Sequence, residues 1–285
     1  LMGTPDQLVD PNIRGAVKTQ KEVGLELRFF QSKFGVTATY WDGTETNIPY
    51  SVAISNFSGF TSKLLNTGEI TKQGIDLAIN GKPLNSANVT WDVNATFAFL
   101  MKQEVVKIAE GIDRIVVQSQ WGGGTPDMVH AINRPWGELF GGGIKRNDAG
   151  LPLVNTNGSY VNAPQTYFGN VLPKFTGGLQ NSFRIMKDIS VIANFDYQFG
   201  GKFFSLSDMW GSFSGLTART SGLNDKGIPI RDPVADGGGV HVTGVAAADG
   251  TTPVDVYVEA QDYFHNLYNN DVYDSFVYDL TYIKL

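Results

Sequence analysis

Residues 189–200 read ISVIANFDYQFG, with Ile189, Val191, Ala193, Phe195, Tyr197 and Phe199 on one parity and Ser190, Ile192, Asn194, Asp196 and Gln198 on the other. Successive side chains of a β-strand leave opposite sides of the backbone. This period of two therefore defines a strand with one apolar, aromatic face and one mostly polar face. Two surroundings satisfy it. In a soluble sheet the apolar face meets a protein core; in an outer-membrane barrel it meets lipid while the polar face lines a hydrated lumen.

The same alternation recurs in segments of about ten residues, the span of a tilted bilayer-crossing strand. VGLELRFF sets Val23, Leu25, Leu27 and Phe29 against Glu26 and Arg28, and after a short polar turn FGVTATYW sets Phe34, Val36, Ala38 and Tyr40 against Thr37, Thr39 and Trp41. A second hairpin pairs Ile75, Leu77 and Ile79 with Val89, Trp91, Val93, Ala95, Phe97 and Phe99, leaving Asp76, Asp92 and Asn94 on the other parity. FTGGLQNSFRI turns at 186–188 into the opening segment and makes a third. Between the hairpins lie connections of roughly residues 42–68, 102–174 and 201–274, rich in Gly, Pro, Asn and Asp. Such lengths are unusual in a compact soluble domain, whereas outer-membrane barrels alternate tight periplasmic turns with long extracellular loops. The expectation is an all-β chain forming part of a large antiparallel transmembrane barrel. Phe195, Tyr197 and Phe199 would then face lipid, with Tyr197, Phe199, Phe203 and Phe204 near an interfacial aromatic girdle. A soluble β-sandwich that binds carbohydrate has the same parity and stands as the alternative.

Composition agrees with strands and loops. Of 285 residues 18% are charged, below the ~25% of ordinary soluble domains, with 33 glycines and 12% aromatics. A net charge of -6 without a basic stripe argues against nucleic acid as a partner. The absence of cysteine excludes disulfides, thiolate metal sites and a thiol nucleophile. No run of ~18 apolar residues is present for a membrane helix, and the first residues do not form a secretory signal.

Several stretches together resemble the SusC-like branch of TonB-dependent outer-membrane transporters. KTQKEVGLELRFFQSKFGVTATYWDGTETN is similar to that family's strand, tight turn and Tyr/Trp-Asp strand end. Ser58-Gly59-Phe60, Asn66-Thr67-Gly68 and Gly74-Ile75-Asp76 resemble a second series, FGNVLPKFTGGLQNSF its Gly-Asn-x-x-Pro-Lys-x-x-Gly-Gly series, and YDLTYIKL the segment before its final strands. Asp76 where the family usually has Glu, and Thr67 where it has Ala, are mild departures. The resemblance implies a barrel of about 22 strands, of which residues 1–285 would be a C-terminal part lacking the plug domain and last strands. It further implies import of an oligosaccharide or peptide, a SusD-like surface lipoprotein over the extracellular loops, energy from the TonB complex through the plug, and no chemistry on the substrate.

On that reading Glu26, Arg28, Asp76, Asp92, Asn94, Asn194 and Asp196 are lumen-facing candidates. The loop SQWGGGTPDMVHAINRPWGELFGGGIKRNDAG concentrates Trp121, Asp127, His130, Arg134 and Trp136. Together with Trp210 these supply the flat rings and placed polar groups that contact a sugar or a partner; packing anchors for a long loop would use the same tryptophans. The GGG runs at 122–124, 141–143 and 237–239 lack phosphate-loop spacing and are expected to be flexible turns. The three histidines lack metal-ligand spacing, and NDAG, NDKG and DPVADGGG fit solvated turns better than a Ca²⁺ site, so no cofactor is expected. Carboxylate pairs such as Asp92 and Asp196 fit a hydrated lumen better than a glycosidase.

Overall fold

The computed structural model describes residues 6–54, 56–119, 125–186 and 188–285. Strand accounts for 58% of it and helix for 11%. The chain runs through β1 (Gln7–Val9), β2 (Val17–Phe29), β3 (Phe34–Ala53), β4 (Ser62–Asn85), β5 (Val89–Lys107), β6 (Arg114–Gln118), β7 (Asp127–Ala131), β8 (Glu138–Ile144), β9 (Leu153–Val154), β10 (Asn162–Asn170), β11 (Phe175–Ile185) and β12 (Ile189–Phe199). It continues through β13 (Lys202–Phe204), helix α1 (Leu206–Phe213), β14 (Val240–Ala246), β15 (Pro253–Val258), helix α2 (Ala260–Asn269), β16 (Val277–Asp279) and β17 (Tyr282–Lys284).

One sheet, ordered β17-β12-β11-β5-β4-β3-β2, forms a continuous wall, and β1 adds to it in parallel along the start of β4. All the other pairings in the wall are antiparallel. Within this chain the wall is an open sheet with β2 and β17 at its edges. The hairpin turns after β2, β4 and β11 all lie at one end, where Phe29 faces Phe34, Asn85 faces Thr90 and Ile185 faces Ile189. The long connections all leave from the other.

Directly opposed residues of antiparallel strands share a face, so the register tests the parity of the sequence across the whole wall. Leu25 lies opposite Ala38, Ala38 opposite Leu77, Leu77 opposite Phe97, Phe97 opposite Gly177 and Gly177 opposite Tyr197. One apolar face thus runs unbroken through six strands. Aromatic pairs sit toward both of its ends: Trp91 stacks on Phe183 at 5.3 Å near the tight turns, and Phe99 stacks on Phe175 at 4.6 Å near the loop end. A β-sandwich would bury this face under a second sheet. Among the described residues nothing does so, and Val23 and Leu25 are 75% and 59% exposed.

Two sequence expectations about local structure are corrected. First, the long connections are not loops. Strands β3, β4 and β5 extend to 20, 24 and 19 residues, so the wall continues beyond Trp41 and Leu100 into what reads as loop. The described residues of 108–174 contain a sheet ordered β10-β8-β7-β6 and the short β9, and 200–281 fold into α1, α2 and further small sheets, one of which takes in β9. These segments hold the buried clusters, one around Phe204, Met209, Phe264, Tyr273 and Phe276 and another around Tyr50, Val52, Val105, Ile108 and Ile115. Phe204 is therefore a core residue packed edge-on against Tyr273 at 5.6 Å, not a girdle residue. Gly- and Asn-rich composition hides this core because the apolar residues come singly between turns, without either period.

Second, Gly141–Gly143 is not a flexible turn. It lies inside β8, where a Cβ on Gly142 would come within 2.0 Å of the Asp271 carbonyl oxygen and one on Gly143 within 2.7 Å of Thr166. The run lets the backbone after α2 cross directly over the strand. The run at 237–239 is a turn, with Gly237 and Gly239 at φ 90° and 83°, and the run at 122–124 lies outside the described residues.

Candidate functional site

The polar face of the wall is as continuous as the apolar one. Glu26 lies opposite Thr37, Thr39 opposite Asp76, Asn80 opposite Asn94, Asn94 opposite Gln180 and Gln180 opposite Asn194. The seven residues singled out for this face, Glu26, Arg28, Asp76, Asp92, Asn94, Asn194 and Asp196, all fall on it. Four of these charged residues are in ion pairs along the surface: Arg28 with Glu26 at 2.6 Å, Lys82 with Asp92 at 3.3 Å, Lys284 with Asp196 at 3.1 Å. These groups are largely exposed, the situation of ions kept in water, where such pairs are worth less than ~1 kcal/mol.

At the loop end the polar face is capped. Strands β6 and β7 and the turn after them pack against the prolonged parts of β3 and β5, burying Tyr50, Val52, Val105 and Ile115 with Trp136 at the margin. His130 is 3% exposed in this contact. Its Nδ1 is 2.9 Å from the Tyr50 hydroxyl, and its ring lies 5.2 Å from Trp136. Burial and the nearby Lys72 ammonium hold its pKa down at about 4, so the imidazole is neutral and shares a hydrogen bond with the Tyr50 hydroxyl. Arg134 lies flat over the Tyr167 ring at 3.5 Å and reaches the buried Glu138 carboxylate with Nη2 at 3.0 Å from Oε1. That bond keeps the guanidinium charged and gives the buried carboxylate its counter-ion.

Asp127 opens β7 opposite Phe140. Trp210 is remote from this group: it packs in the α1–α2 contact, 4.8 Å from Tyr268 and 5.6 Å from Phe213. Trp121 lies outside the described residues. The structure therefore gathers His130 and Trp136 beside Lys72, whose Nζ is 5.1 Å from the Trp136 ring, holds Arg134 against Tyr167 and Glu138, and sets Trp210 elsewhere. Among the described residues no three His, Asp or Glu side chains converge as a metal site requires.

Sequence reasoning passes over a concavity just below the cap. A cavity of about 260 Å³ is lined by Lys18, Glu22, Trp41, Glu45, Lys72 and Asp76, from three adjacent strands. Trp41 has the parity of the polar face. That signal is legible in the sequence, but its significance needs the register that places Gly74 opposite it.

A largely antiparallel wall with one apolar and one polar face, tight turns at one end and folded connections at the other has the build of part of an outer-membrane barrel. No family model matches the chain. The TonB-dependent receptor P3 of Formosa agariphila is 21% identical over 223 residues, which are 67% of this chain and 21% of that protein. The TonB-dependent receptor P39 of the same organism is 24% identical over 106 residues, 37% of this chain and 10% of its own length. Among solved structures, the RagAB peptide importer in its closed-closed state superposes with a TM-score of 0.61 and 16% identity, covering 94% of this chain and 28% of that one.

The chain has the fold of one part of the RagAB barrel.

A second structure, of the RagAB peptide transporter, agrees, with a TM-score of 0.56 and 19% identity over 72% of this chain and 23% of that one. The chain spans about a fifth of the length of the first curated relative. These relatives are receptors and transporters, not enzymes. No described helix is long and apolar enough to cross a membrane, which says nothing of crossing by strands.

Proposed function

We propose that this chain forms part of the wall and extracellular mouth of a TonB-dependent importer for oligosaccharides or peptides in a bacterial outer membrane. The observation that carries the reading is the pair of continuous faces: an uncovered apolar one that lipid would cover, and a charged, hydrated one that a passing polar solute would meet. The cap on β6–β8 narrows the loop end of the polar face. The segments holding α1 and α2 present a folded surface there on which a SusD-like surface lipoprotein would sit. The seven polar-face residues would line the passage, while Arg134 and Trp136 would shape its mouth. Energy would come from the TonB complex, acting on a plug within the barrel.

Fractionation of the native source, with uptake measured in intact cells, tests this. The full-length protein is expected in the outer membrane together with a surface lipoprotein, and uptake of its solute is expected to stop when TonB is deleted. Recovery in the soluble fraction would refute the reading.

A further inference from the structure

We propose that the cavity around Trp41 is a sugar-binding subsite on the solute path. This deepens the importer reading and rests on it. The polar face of the wall consists mainly of Thr, Asn, Gln, Asp and Glu; at Trp41 it carries an indole. That indole lies across Gly74, the residue opposite it on β4. A Cβ on Gly74 would fall 2.4 Å from Cζ2 and 2.6 Å from Cε2 of Trp41, and 2.8 Å from the Phe99 carbonyl oxygen. The missing side chain is therefore what lets the ring settle onto the wall. An aromatic ring held by the backbone beneath it loses little conformational freedom when a ligand stacks on it.

Around the ring the cavity of about 260 Å³ presents Lys18 and Lys72 as donors and Glu22, Glu45 and Asp76 as acceptors, with Ile70 as its other large apolar residue. A pyranose has an apolar face for stacking and a rim of hydroxyls that both donate and accept. The mixed ring of ammonium and carboxylate groups answers that rim, and the indole answers the face. A peptide would be served poorly. Strands β3 and β4 are each paired on both sides along this stretch, so their N–H and C=O groups are already engaged and cannot add a peptide strand. Lys72 also ties the subsite to the cap through Trp136, so a solute entering beneath the cap would meet Trp41 next.

The test uses the full-length transporter labelled with 5-fluorotryptophan, with the Trp41 resonance assigned by loss in Trp41→Phe. The probes are a pool of neutral and uronic-acid oligosaccharides of about four to ten residues, and separately a pool of neutral peptides of similar size. The expected result is a shift of the Trp41 resonance with the oligosaccharides only. Retention of oligosaccharide is expected to fall about tenfold in Trp41→Ala and to survive largely in Trp41→Phe, with both variants folded by heat-modifiable electrophoresis. An unmoved resonance, or unchanged retention in Trp41→Ala, would overturn the subsite while leaving the importer reading intact. A response to the peptides alone would overturn its sugar chemistry. The importer reading fails by a different result, recovery of the protein outside the outer membrane.

Discussion

Replacing Phe195 and then its neighbour Asn194 by arginine asks what lies against each face of the wall. Strand β12 carries its apolar parity from Ile189 to Phe199, which at ~3.3 Å per residue and a tilt near 40° would span about 25 Å of bilayer on the proposed reading. Asn194 is at the midpoint and Phe195 one residue, roughly 3 Å, from it. An arginine facing lipid at that depth costs ~2–4 kcal/mol, and loss of the phenyl ring adds ~1.5–2. Phe195→Arg should therefore destabilise by roughly 4–6 kcal/mol, and Asn194→Arg, in water, by less than ~0.5. A third variant separates lipid from a protein core. Phe195→Ala should cost about 2 kcal/mol or less where acyl chains refill the space, against ~3–5 where packed side chains leave a cavity. The assay is the folded fraction of the full-length transporter in phospholipid vesicles over a urea series, read by heat-modifiable electrophoresis. Equal penalties for the two arginines, or a core-sized penalty for Phe195→Ala, would refute the facing assigned here.

Arg134→Ala should destabilise the cap by about 1–3 kcal/mol by stranding the Glu138 carboxylate, with part of the loss recovered in the double variant with Glu138→Gln; protease nicking between β7 and β8 reads both. His130 has a depressed pKa, so the folded state binds fewer protons than the unfolded one between pH 6.5 and about 4. Stability of the cap is full above that window and falls on acidification through it, by about 2 kcal/mol at pH 5. Hydrogen exchange of the β7 amides should accelerate accordingly, and pH-independent exchange free energies would contradict the burial of a neutral imidazole. Gly142→Ala should disrupt the crossing of the Asp271 backbone over β8 by ~1–3 kcal/mol or more, detected as new protease sensitivity after α2; wild-type resistance would show that the crossing has slack. Gln31 holds φ 56° in the turn after β2, so Gln31→Gly should stabilise the hairpin by up to ~1 kcal/mol in the same urea series, and a loss would argue that its side chain anchors the turn.

Much of the wall is legible in the alternation of side chains alone. In a strand that crosses a bilayer, each residue meets either lipid or water according to parity. The pattern through Leu25, Ala38, Leu77, Phe97 and Tyr197 therefore announces both faces, and with them Glu26, Asp76, Asn94 and Asp196 on the polar side. The short turns are equally plain, since they interrupt the alternation for only a few polar residues.

What the sequence does not announce is anything that depends on residues far apart in the chain. Phe204 has the look of a girdle aromatic and becomes core because Tyr273, from beyond α2, packs on it. Gly141–Gly143 has the composition of a turn and is a strand because Asp271 needs room over Gly142. Trp41 is only a tryptophan of the wrong parity until β4 brings Gly74 beneath it. Local alternation determined the two-faced wall because the two sides of a strand impose their preference one residue at a time. The cap, its half-buried ion pair and the Trp41 cavity were decided only in three dimensions, because there each side chain's surroundings are other side chains.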